Sequence, residues 1–449
     1  MSALATTKRA RPTRRARAAL LAAALALGGC SGFSDEDPPL PGARVPVRAA
    51  PDPRIASPEL AAAVSAIAPP ALNADWPQPN ATPDRAPGHL AGPTRPTQLW
   101  RVSAVSGARG DARITAAPIV SGGRVFALGA SADVSAHDAA SGARIWRAEI
   151  APEGQNASDG FGGGLAEIDG RVIATTGFGE VIALSAATGE VLWRRNLGAP
   201  MRAAPAVDGG LVVAATRDNT AFGLDAATGD LRWRVSGATG GAGFLGGASP
   251  AISGPVAVLP FASGELIAVR AVDGRRLWSD ALRGGRRGSA MTEIADVSGD
   301  PVMAGVAVFA SNQAGLMLAI DGRSGARGWT RDIGSTSPVW VAGATLFAMS
   351  VDARLFRLAA STGETLWATD LPKWGDPEDR EDLISYGGPM LAGGAVHVTS
   401  SDGRLLSFDP QTGAQLSEAP LPGGATLGPV VAGGVLYVLS DAGDLFAFR

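Results

Sequence analysis

Short apolar runs alternate with glycine-rich turns along most of the chain after residue 97. In the first clear copy the apolar runs cover residues 118–120, 124–128, 133–137 and 144–147. Turns containing glycine or small residues separate them, for example at 121–123 and 139–142. Runs of this length bounded by glycine turns are typical of β-strands joined as hairpins. The pattern therefore predicts a unit of four short strands that follow one another in the chain.

A glycine that precedes a tryptophan by four positions marks the end of each unit. The pairs are Gly142 and Trp146, Gly189 and Trp193, Gly229 and Trp233, Gly274 and Trp278, Gly325 and Trp329, and Gly363 and Trp367. Gly413 continues the series, but Ser417 stands where the tryptophan is expected. Successive glycines are 47, 40, 45, 51, 38 and 50 residues apart. This spacing suits a four-stranded propeller blade of about 40 to 50 residues.

The two ends of the repeat region predict the number of blades. Residues 97–102 look like an outermost strand without the three strands that should precede it, and residues 428–449 supply three inner strands without an outer one. Together they complete one blade, and this closure removes exposed sheet edges. The eight outer-strand markers are Trp100, Trp146, Trp193, Trp233, Trp278, Trp329, Trp367 and Ser417. We therefore expect an all-β fold, an eight-bladed β-propeller of four-stranded antiparallel blades over residues 97–449, in which each tryptophan ring covers the neighbouring blade.

The beginning of the chain has the pattern of an export signal. Six basic residues between Lys8 and Arg17 precede an apolar run at 18–27, which is too short to span a bilayer. The run ends in Leu27-Gly28-Gly29-Cys30, which resembles a bacterial lipobox. The resemblance implies that residues 1–29 are a lipoprotein signal peptide and that Cys30 becomes a lipidated N-terminus carrying palmitate or a similar chain. Because Ser31 rather than aspartate follows, we expect the outer membrane as the location.

A proline-rich segment connects this signal to the repeats. Residues 31–96 contain 15 prolines and few large apolar residues. Such a composition buries too little surface to offset the entropy of ordering. We expect residues 30–96 to be a disordered tether between the lipid and the propeller.

Composition and charge exclude several classes of protein. With 60 glycines among 449 residues, 6% aromatic and 18% charged residues, the chain is unlike a helical bundle. Beyond residue 30 it has 33 basic and 42 acidic residues, so it lacks the basic footprint of a nucleic-acid-binding protein. Cys30 is the only cysteine, which excludes an intrachain disulfide and a site with several cysteine ligands.

The repeat resembles that of a known superfamily. Residues 225–233, Asp-Ala-Ala-Thr-Gly-Asp-Leu-Arg-Trp, and their copies are similar to the repeat of the eight-bladed pyrroloquinoline-quinone-type propellers, over residues 97–449. That superfamily includes quinoprotein dehydrogenases and the BamB family of outer-membrane assembly lipoproteins. The lipobox, the single propeller without large insertions, and the segments 292–301 and 318–325 resemble the BamB family. This implies a noncatalytic scaffold of the Bam complex, anchored in the outer membrane and facing the periplasm.

The same resemblance implies partners and docking residues. The core barrel-assembly subunit, BamA-like, would bind through its periplasmic POTRA region, and unfolded outer-membrane proteins are possible further partners. The positions that match the family's docking loops are Asp296 and Leu245, with Phe244 and Ile294 as apolar tips of the same loops. Two residues depart from the pattern, Ser298 and Gly246. Substituting Asp296 and Leu245 together is expected to weaken partner capture without changing thermal unfolding.

Strand geometry places these loops together without the resemblance. In a four-stranded meander, the connections between blades and the turns between the second and third strands emerge on one face. The long irregular connections are 154–166, 237–249, 284–301 and 373–388. Glycine-rich loops with apolar tips suit partner docking. The alternative for Phe161, and also for Leu245 and Asp296, is that these residues plug the central channel.

Catalytic motifs are not recognisable in the sequence. A quinoprotein enzyme would need calcium ligands, a catalytic aspartate and, in the alcohol dehydrogenases, vicinal cysteines. The three histidines, His89, His137 and His397, share no motif and are expected to be packed or surface residues. We expect neither cofactor nor metal. A quinone-dependent dehydrogenase and a propeller lipoprotein that binds another envelope component remain alternative functions.

Overall fold

The computed structural model describes residues 67–201, 203–239, 247–282 and 296–449. These ranges contain eight four-stranded antiparallel sheets and one two-stranded hairpin. The eight-bladed propeller expected from the repeat is therefore confirmed. Within the described ranges, no helix has the length and apolar character needed to cross a bilayer.

The strands follow the chain from the inside of each blade to its outside, with one exception at the chain ends. The last blade, blade 8, takes its outermost strand from the beginning of the repeat region, β1 (Gln98–Ser103). Blade 1 consists of β2 (Ile119–Ser121), β3 (Arg124–Leu128), β4 (Asp133–Asp138) and β5 (Arg144–Glu149). Blade 2 consists of β6 (Gly163–Ile168), β7 (Arg171–Thr176), β8 (Glu180–Ser185) and β9 (Val191–Asn196), and a 3₁₀ turn at Ala157–Gly160 precedes it. Blade 3 consists of β10 (Ala206–Asp208), β11 (Leu211–Ala215), β12 (Thr220–Asp225) and β13 (Leu231–Ser236). Blade 4 consists of β14 (Ala251–Ser253), β15 (Val256–Pro260), β16 (Glu265–Arg270) and β17 (Arg276–Ala281).

The second half of the ring repeats this order. Blade 5 consists of β18 (Val297–Ala304), β19 (Ala307–Asn312), β20 (Met317–Asp321) and β21 (Arg327–Arg331). Blade 6 consists of β22 (Trp340–Ala342), β23 (Thr345–Ser350), β24 (Arg354–Ala359) and β25 (Thr365–Asp370). The extra hairpin, β26 (Trp374–Asp376) and β27 (Glu381–Leu383), follows blade 6. Blade 7 consists of β28 (Tyr386–Ala392), β29 (Ala395–Ser400), β30 (Arg404–Phe408) and β31 (Gln415–Pro420), and blade 8 adds β32 (Val430–Ala432), β33 (Val435–Leu439) and β34 (Asp444–Phe448) to β1.

A tryptophan links neighbouring blades at seven of the eight boundaries of this ring. The glycine in the turn between the third and fourth strands has φ between +70° and +78°, which glycine adopts without Cβ strain. The tryptophan of the preceding blade packs so closely against this glycine that a Cβ there would clash with it. A Cβ on Gly229, for example, would lie 2.6 Å from the ring of Trp193. The same contact joins Trp100 to Gly142, Trp146 to Gly189, Trp233 to Gly274, Trp278 to Gly325, Trp329 to Gly363 and Trp367 to Gly413.

A hydrogen bond accompanies six of these seven contacts. The indole Nε1 of the tryptophan donates over 2.7–3.1 Å to a carbonyl at the start of the neighbouring turn. At the seam, Trp100 makes no such bond; instead Tyr437 of blade 8 donates its hydroxyl to the equivalent carbonyl of Ala139 over 3.1 Å. The tyrosine thus takes the acceptor that an indole uses elsewhere.

The missing tryptophan at Ser417 has a structural reason. A tryptophan in blade 7 would have to cover a turn between the third and fourth strands of blade 8. Blade 8 has no such turn, because its third strand is β34 and its fourth is β1, paired as Arg101 with Phe446 and Val102 with Leu445. The ring therefore contains seven glycine turns and seven tryptophans to cover them.

Residues 71–93 precede the first strand. They cross one end of the central channel and contact the innermost strand of each of the eight blades; we call them the strap. Trp76 is 2% exposed, Leu90 is 3% exposed and Arg85 is fully buried. All described residues lie in the compact unit Asp52–Arg449. The structure thus differs from the expectation of a disordered tether through residue 96, because from residue 67 onward the segment is ordered on the propeller. Proline has no N–H to satisfy and loses little conformational entropy on ordering, so a proline-rich segment can pack on backbone that offers donors. Residues 1–66, including Cys30 and the signal, lie outside the described residues.

Candidate functional site

The propeller has two faces with different connections. In seven blades a residue just beyond the fourth strand donates its N–H to the turn between the second and third strands, as Leu197 does to Gly179 and Leu421 to Gly403, both over 2.8 Å. This places the inter-blade connections and these turns on one face, which we call the loop face. The glycine turns between the third and fourth strands lie on the opposite side, which we call the turn face. The arrangement expected from the meander geometry is confirmed.

The docking residues expected on the loop face fall into two groups. Leu245, Phe244 and Ile294 lie outside the described residues. Asp296 is described and has no exposed surface, and Ser298 donates its hydroxyl to the backbone carbonyl of Asp296 over 3.0 Å. The structure thus differs from the expectation of an accessible carboxylate, because Asp296 directly precedes the innermost strand of blade 5 and is fully buried there. A docking role for these four residues stays a prediction.

Phe161 is half-buried at the loop face. It lies directly after the 3₁₀ turn Ala157–Gly160 and packs against the large apolar cluster that contains Trp76 and Trp340. Its ring is therefore shared between the core and the surface, and the alternatives of docking residue and channel plug both remain.

The hairpin of β26 and β27 is a feature that the structure adds to this face. It forms within the long acidic connection 373–388, and Glu378, Asp379 and Glu381 at its tip are exposed. Leu383 on its second strand is 57% exposed. The sequence indicated only an unusually long acidic loop there, because three-residue strands give no readable alternation.

The base of this hairpin is fixed to the propeller. Tyr386 donates its hydroxyl to the carbonyl of Pro372 over 2.6 Å, and the Lys373 ammonium lies 5.7 Å from the centre of the Trp374 ring and 3.7 Å from Asp352. Ile384 and Tyr386 are buried below it. The hairpin is therefore an acidic finger with a rigid base.

The central channel contains a cavity of about 430 Å³. All eight blades contribute to its wall, and Trp76, Pro79 and Asn80 of the strap also line it. Arg113 and Asp300 are the charged residues among the described lining residues, and burial raises the pKa of the Asp300 carboxyl. A cavity of this size is in the range that small ligands occupy.

In the described part of the chain we find no group of side chains arranged for metal binding or for acid–base chemistry. No group of three or more His, Cys, Asp or Glu side chains there could hold a metal ion. His137 contacts the carbonyl of Gly142 at 2.9 Å and the hydroxyl of Ser135 at 3.1 Å, and burial lowers its pKa. His397 contacts the Ser407 hydroxyl at 3.0 Å, and its Nε2 donates to the carbonyl of Ala392 over 3.2 Å. Both are packed core residues, whereas His89 holds the strap by accepting the N–H of Gly394 over 2.9 Å.

Burial of His397 makes stability depend on pH. Burial lowers the pKa of His397 from 6.5 to about 4. Because the unfolded chain binds the proton more readily, this residue stabilises the fold above pH 6.5, and that contribution is lost as the pH falls from 6.5 to 4. We expect a loss of about 3 kcal/mol in the free energy of unfolding over this interval, measured by urea titrations at several pH values. His397→Gln should flatten the dependence; an equally steep curve for His397→Gln would contradict this assignment.

Comparison with known proteins gives a consistent picture. The family model described as outer membrane protein assembly factor BamB matches residues 130–369. Outer membrane protein assembly factor BamB of Escherichia coli K12 is 30% identical over 328 residues, covering 71% of this chain and 79% of that protein. The Xanthomonas campestris protein of the same name is 34% identical over 277 residues, covering 60% and 67%.

Solved structures agree on the fold. BamB from Moraxella catarrhalis superposes with a TM-score of 0.66 at 22% identity, covering 79% of this chain and 99% of that one. Quinohemoprotein alcohol dehydrogenase from Comamonas testosteroni superposes with a TM-score of 0.64 at 16% identity, covering 88% and 82%. At these identities the likenesses show the propeller fold alone, which scaffolds and enzymes share.

Proposed function

Because the chain belongs to the family of outer membrane protein assembly factor BamB, we propose that it is a noncatalytic scaffold in the assembly of outer-membrane β-barrel proteins. Its partner is the periplasmic POTRA region of the core barrel-assembly subunit, and it acts as a lipoprotein anchored at Cys30 in the outer membrane, facing the periplasm. The basic and apolar signal that ends in Leu27-Gly28-Gly29-Cys30 supports the anchor.

The acidic finger is the observation that carries the docking proposal. It stands on the loop face, where we also expect the docking loops, and its base is held while its tip is exposed. Three exposed acids and the exposed Leu383 offer a charged and an apolar contact side by side. Such a combination suits a partner with a basic rim around an apolar patch.

A quinone-dependent dehydrogenase receives no support from the described residues. Such an enzyme holds its quinone with calcium, which needs six to eight oxygen ligands. The described residues contain no cluster of acidic, histidine or cysteine side chains able to hold a metal, and the chain has a single cysteine in place of a vicinal pair. The described residues therefore supply no such cluster for the quinone's metal, and no specific observation favours this second function.

Charge reversal on the finger tests the docking proposal. The full-length lipoprotein carrying Glu378→Lys, Asp379→Lys and Glu381→Lys should capture at least about fivefold less of the core barrel subunit from detergent-solubilised membranes, because rim charges steer and orient association. Thermal unfolding should not change, since these side chains are exposed.

A matched control has the same change in charge on the turn face. Glu190, Asp230 and Glu364 are exposed there, and their replacement by lysine should leave capture as in the unmodified protein. Equal capture by both triple variants would show that the finger is not part of the interface. If the unmodified lipoprotein recovered no barrel-assembly subunit, the proposed function itself would be overturned.

A further inference from the structure

The innermost strands leave one row of backbone groups without partners inside their own sheets. Each innermost strand pairs on one side only, and its other edge faces the channel. In seven blades a proline lies within the innermost strand or just before it, and these are Pro118, Pro205, Pro250, Pro301, Pro338, Pro389 and Pro429. Proline removes one N–H from the edge, so the first free donors of the edge come after it. Free strand edges are the usual places where another extended chain binds.

The strap binds the residue two positions beyond the proline in blade after blade. In blade 2, where Leu165 stands in place of the proline, the corresponding residue is Glu167. In five blades the backbone N–H of this residue donates to the strap. The bonds run from Val120 to Trp76 over 2.8 Å, from Glu167 to Pro77 over 2.7 Å, from Val207 to the Gln78 side chain over 3.1 Å, from Ile252 to Pro83 over 2.8 Å and from Met303 to Asp84 over 2.8 Å. Blade 6 uses the Trp340 indole, which donates to Gly88 over 2.8 Å, whereas blades 7 and 8 accept through Leu391, from the N–H of Leu90 over 3.3 Å, and through Val431, from Asn73 Nδ2 over 2.6 Å.

The strap makes one full turn about the propeller axis. It meets blade 8 first at Asn73, then blades 1 to 7 in order, and ends beside its own start, where Ala71 donates to His89 over 2.9 Å and Ala91 donates to Ala71 over 2.7 Å. It contacts the turns between first and second strands, as in the bond from Gly433 to Asn73, so it lies on the turn face. The circuit is therefore a closed loop at one end of the channel.

Two tryptophans close the centre of this loop. The rings of Trp76 in the strap and Trp340 in blade 6 stack with their centres 5.9 Å apart and an angle of 19°. Each is 2% exposed. Arg85 adds a buried guanidinium, which donates to the carbonyls of Pro79 and Pro250. Burial lowers its pKa to about 10, and the nearby Asp300 carboxylate opposes this shift.

The chemistry of the strap matches that of the ring. Five blades donate a backbone N–H, and carbonyl or amide oxygens of the strap accept these hydrogen bonds. Its prolines, including Pro77 and Pro83, provide carbonyls without bringing N–H groups that would need acceptors of their own. A proline-rich extended chain is thus the class of ligand that this ring selects.

We propose that the eight inner edges form a peptide-binding ring and that the strap is its built-in ligand, which binds and releases as one unit. With the strap bound, Trp76, Pro79 and Asn80 form part of the wall of the channel cavity of about 430 Å³.

Hydrogen exchange of the full-length protein tests whether the strap acts as one unit. In Trp76→Ala, the five ring amides should exchange at least about tenfold faster than in the unmodified protein. This includes Met303, whose partner is Asp84 rather than Trp76, whereas amides that pair the second and third strands should keep their rates. Trp374→Ala, which removes the same side chain from the acidic finger, should change none of the ring amides.

Two exchange results would overturn the proposal. The first is acceleration at Val120 alone, since the strap would then consist of independent contacts. The second is free exchange of the ring amides in the unmodified protein. Should Trp76→Ala fail to fold, Arg85→Gln releases the strap from blade 4 instead, and it should accelerate exchange at the distant Val120 as well.

A synthetic peptide tests the ring as a binding site. A fluorescent peptide with the sequence of residues 67–96 should bind the full-length Trp76→Ala protein and change its anisotropy, while the unmodified protein, whose ring is occupied, should bind it at least about tenfold more weakly. A peptide of the same composition in scrambled order is the control. Equal binding to both proteins, or no binding to a variant whose ring amides exchange fast, would contradict the assignment of the ring as a peptide site.

Discussion

Replacing Trp233 by alanine is expected to lower the free energy of unfolding by about 3–5 kcal/mol. The side chain is 6% exposed, packs in the cluster shared by blades 3 and 4, and donates its indole N–H to Ala271 over 2.8 Å. Its removal leaves a cavity between two blades and an acceptor without its donor. Denaturant titration followed by circular dichroism measures the loss.

Trp374→Ala is the matched control for this experiment. Trp374 belongs to the acidic finger and is only half-buried, so its removal should cost about 1 kcal/mol or less. Equal losses for the two variants would show that the tryptophans at the blade boundaries do not hold the ring together.

Replacing Gly229 by alanine is expected to cost about 2–5 kcal/mol, from two separable causes. The residue has φ of +74°, a left-handed conformation that costs a residue with a Cβ about 1–2 kcal/mol. In addition, the new Cβ would lie 2.6 Å from the ring of Trp193, and relief of such overpacking costs about 1–3 kcal/mol. The same denaturant titration applies.

Gly123→Ala separates the two causes. Gly123 has φ of +72° in a turn where a Cβ would meet nothing within 4 Å, so this variant should lose only the backbone cost. In a Trp193→Ala background, Gly229→Ala should cost no more than Gly123→Ala, because the clash has been removed. A Gly229 cost that stays the same without the tryptophan would mean that the glycine is needed for the turn alone.

The same pairing explains why the repeat could be interpreted from the sequence. A glycine and a tryptophan four positions apart lie in one hairpin, but each contacts a neighbouring blade, so the pattern reports both the strand order and the packing between blades. The exception at Ser417 follows from the same rule, since blade 8 lacks the turn that a tryptophan of blade 7 would cover.

The strap and the docking residues could not be interpreted in this way. Residues 67–96 have neither period nor many apolar residues, and their partners are single backbone groups on eight blades, up to 358 positions away in the case of Asn73 and Val431. No local pattern records such contacts. The burial of Asp296 likewise depends on the packing of blade 5 in the ring, which no local pattern records.

The sequence alone determined the class of fold, the number of blades, the seam between the chain ends and the family, because these depend on a short-range pattern that the chain repeats. The tertiary structure alone decided that the strap crosses the channel, which histidines are buried and where an acidic finger stands, because these depend on contacts between segments far apart in the chain, and no short-range repeat records such contacts.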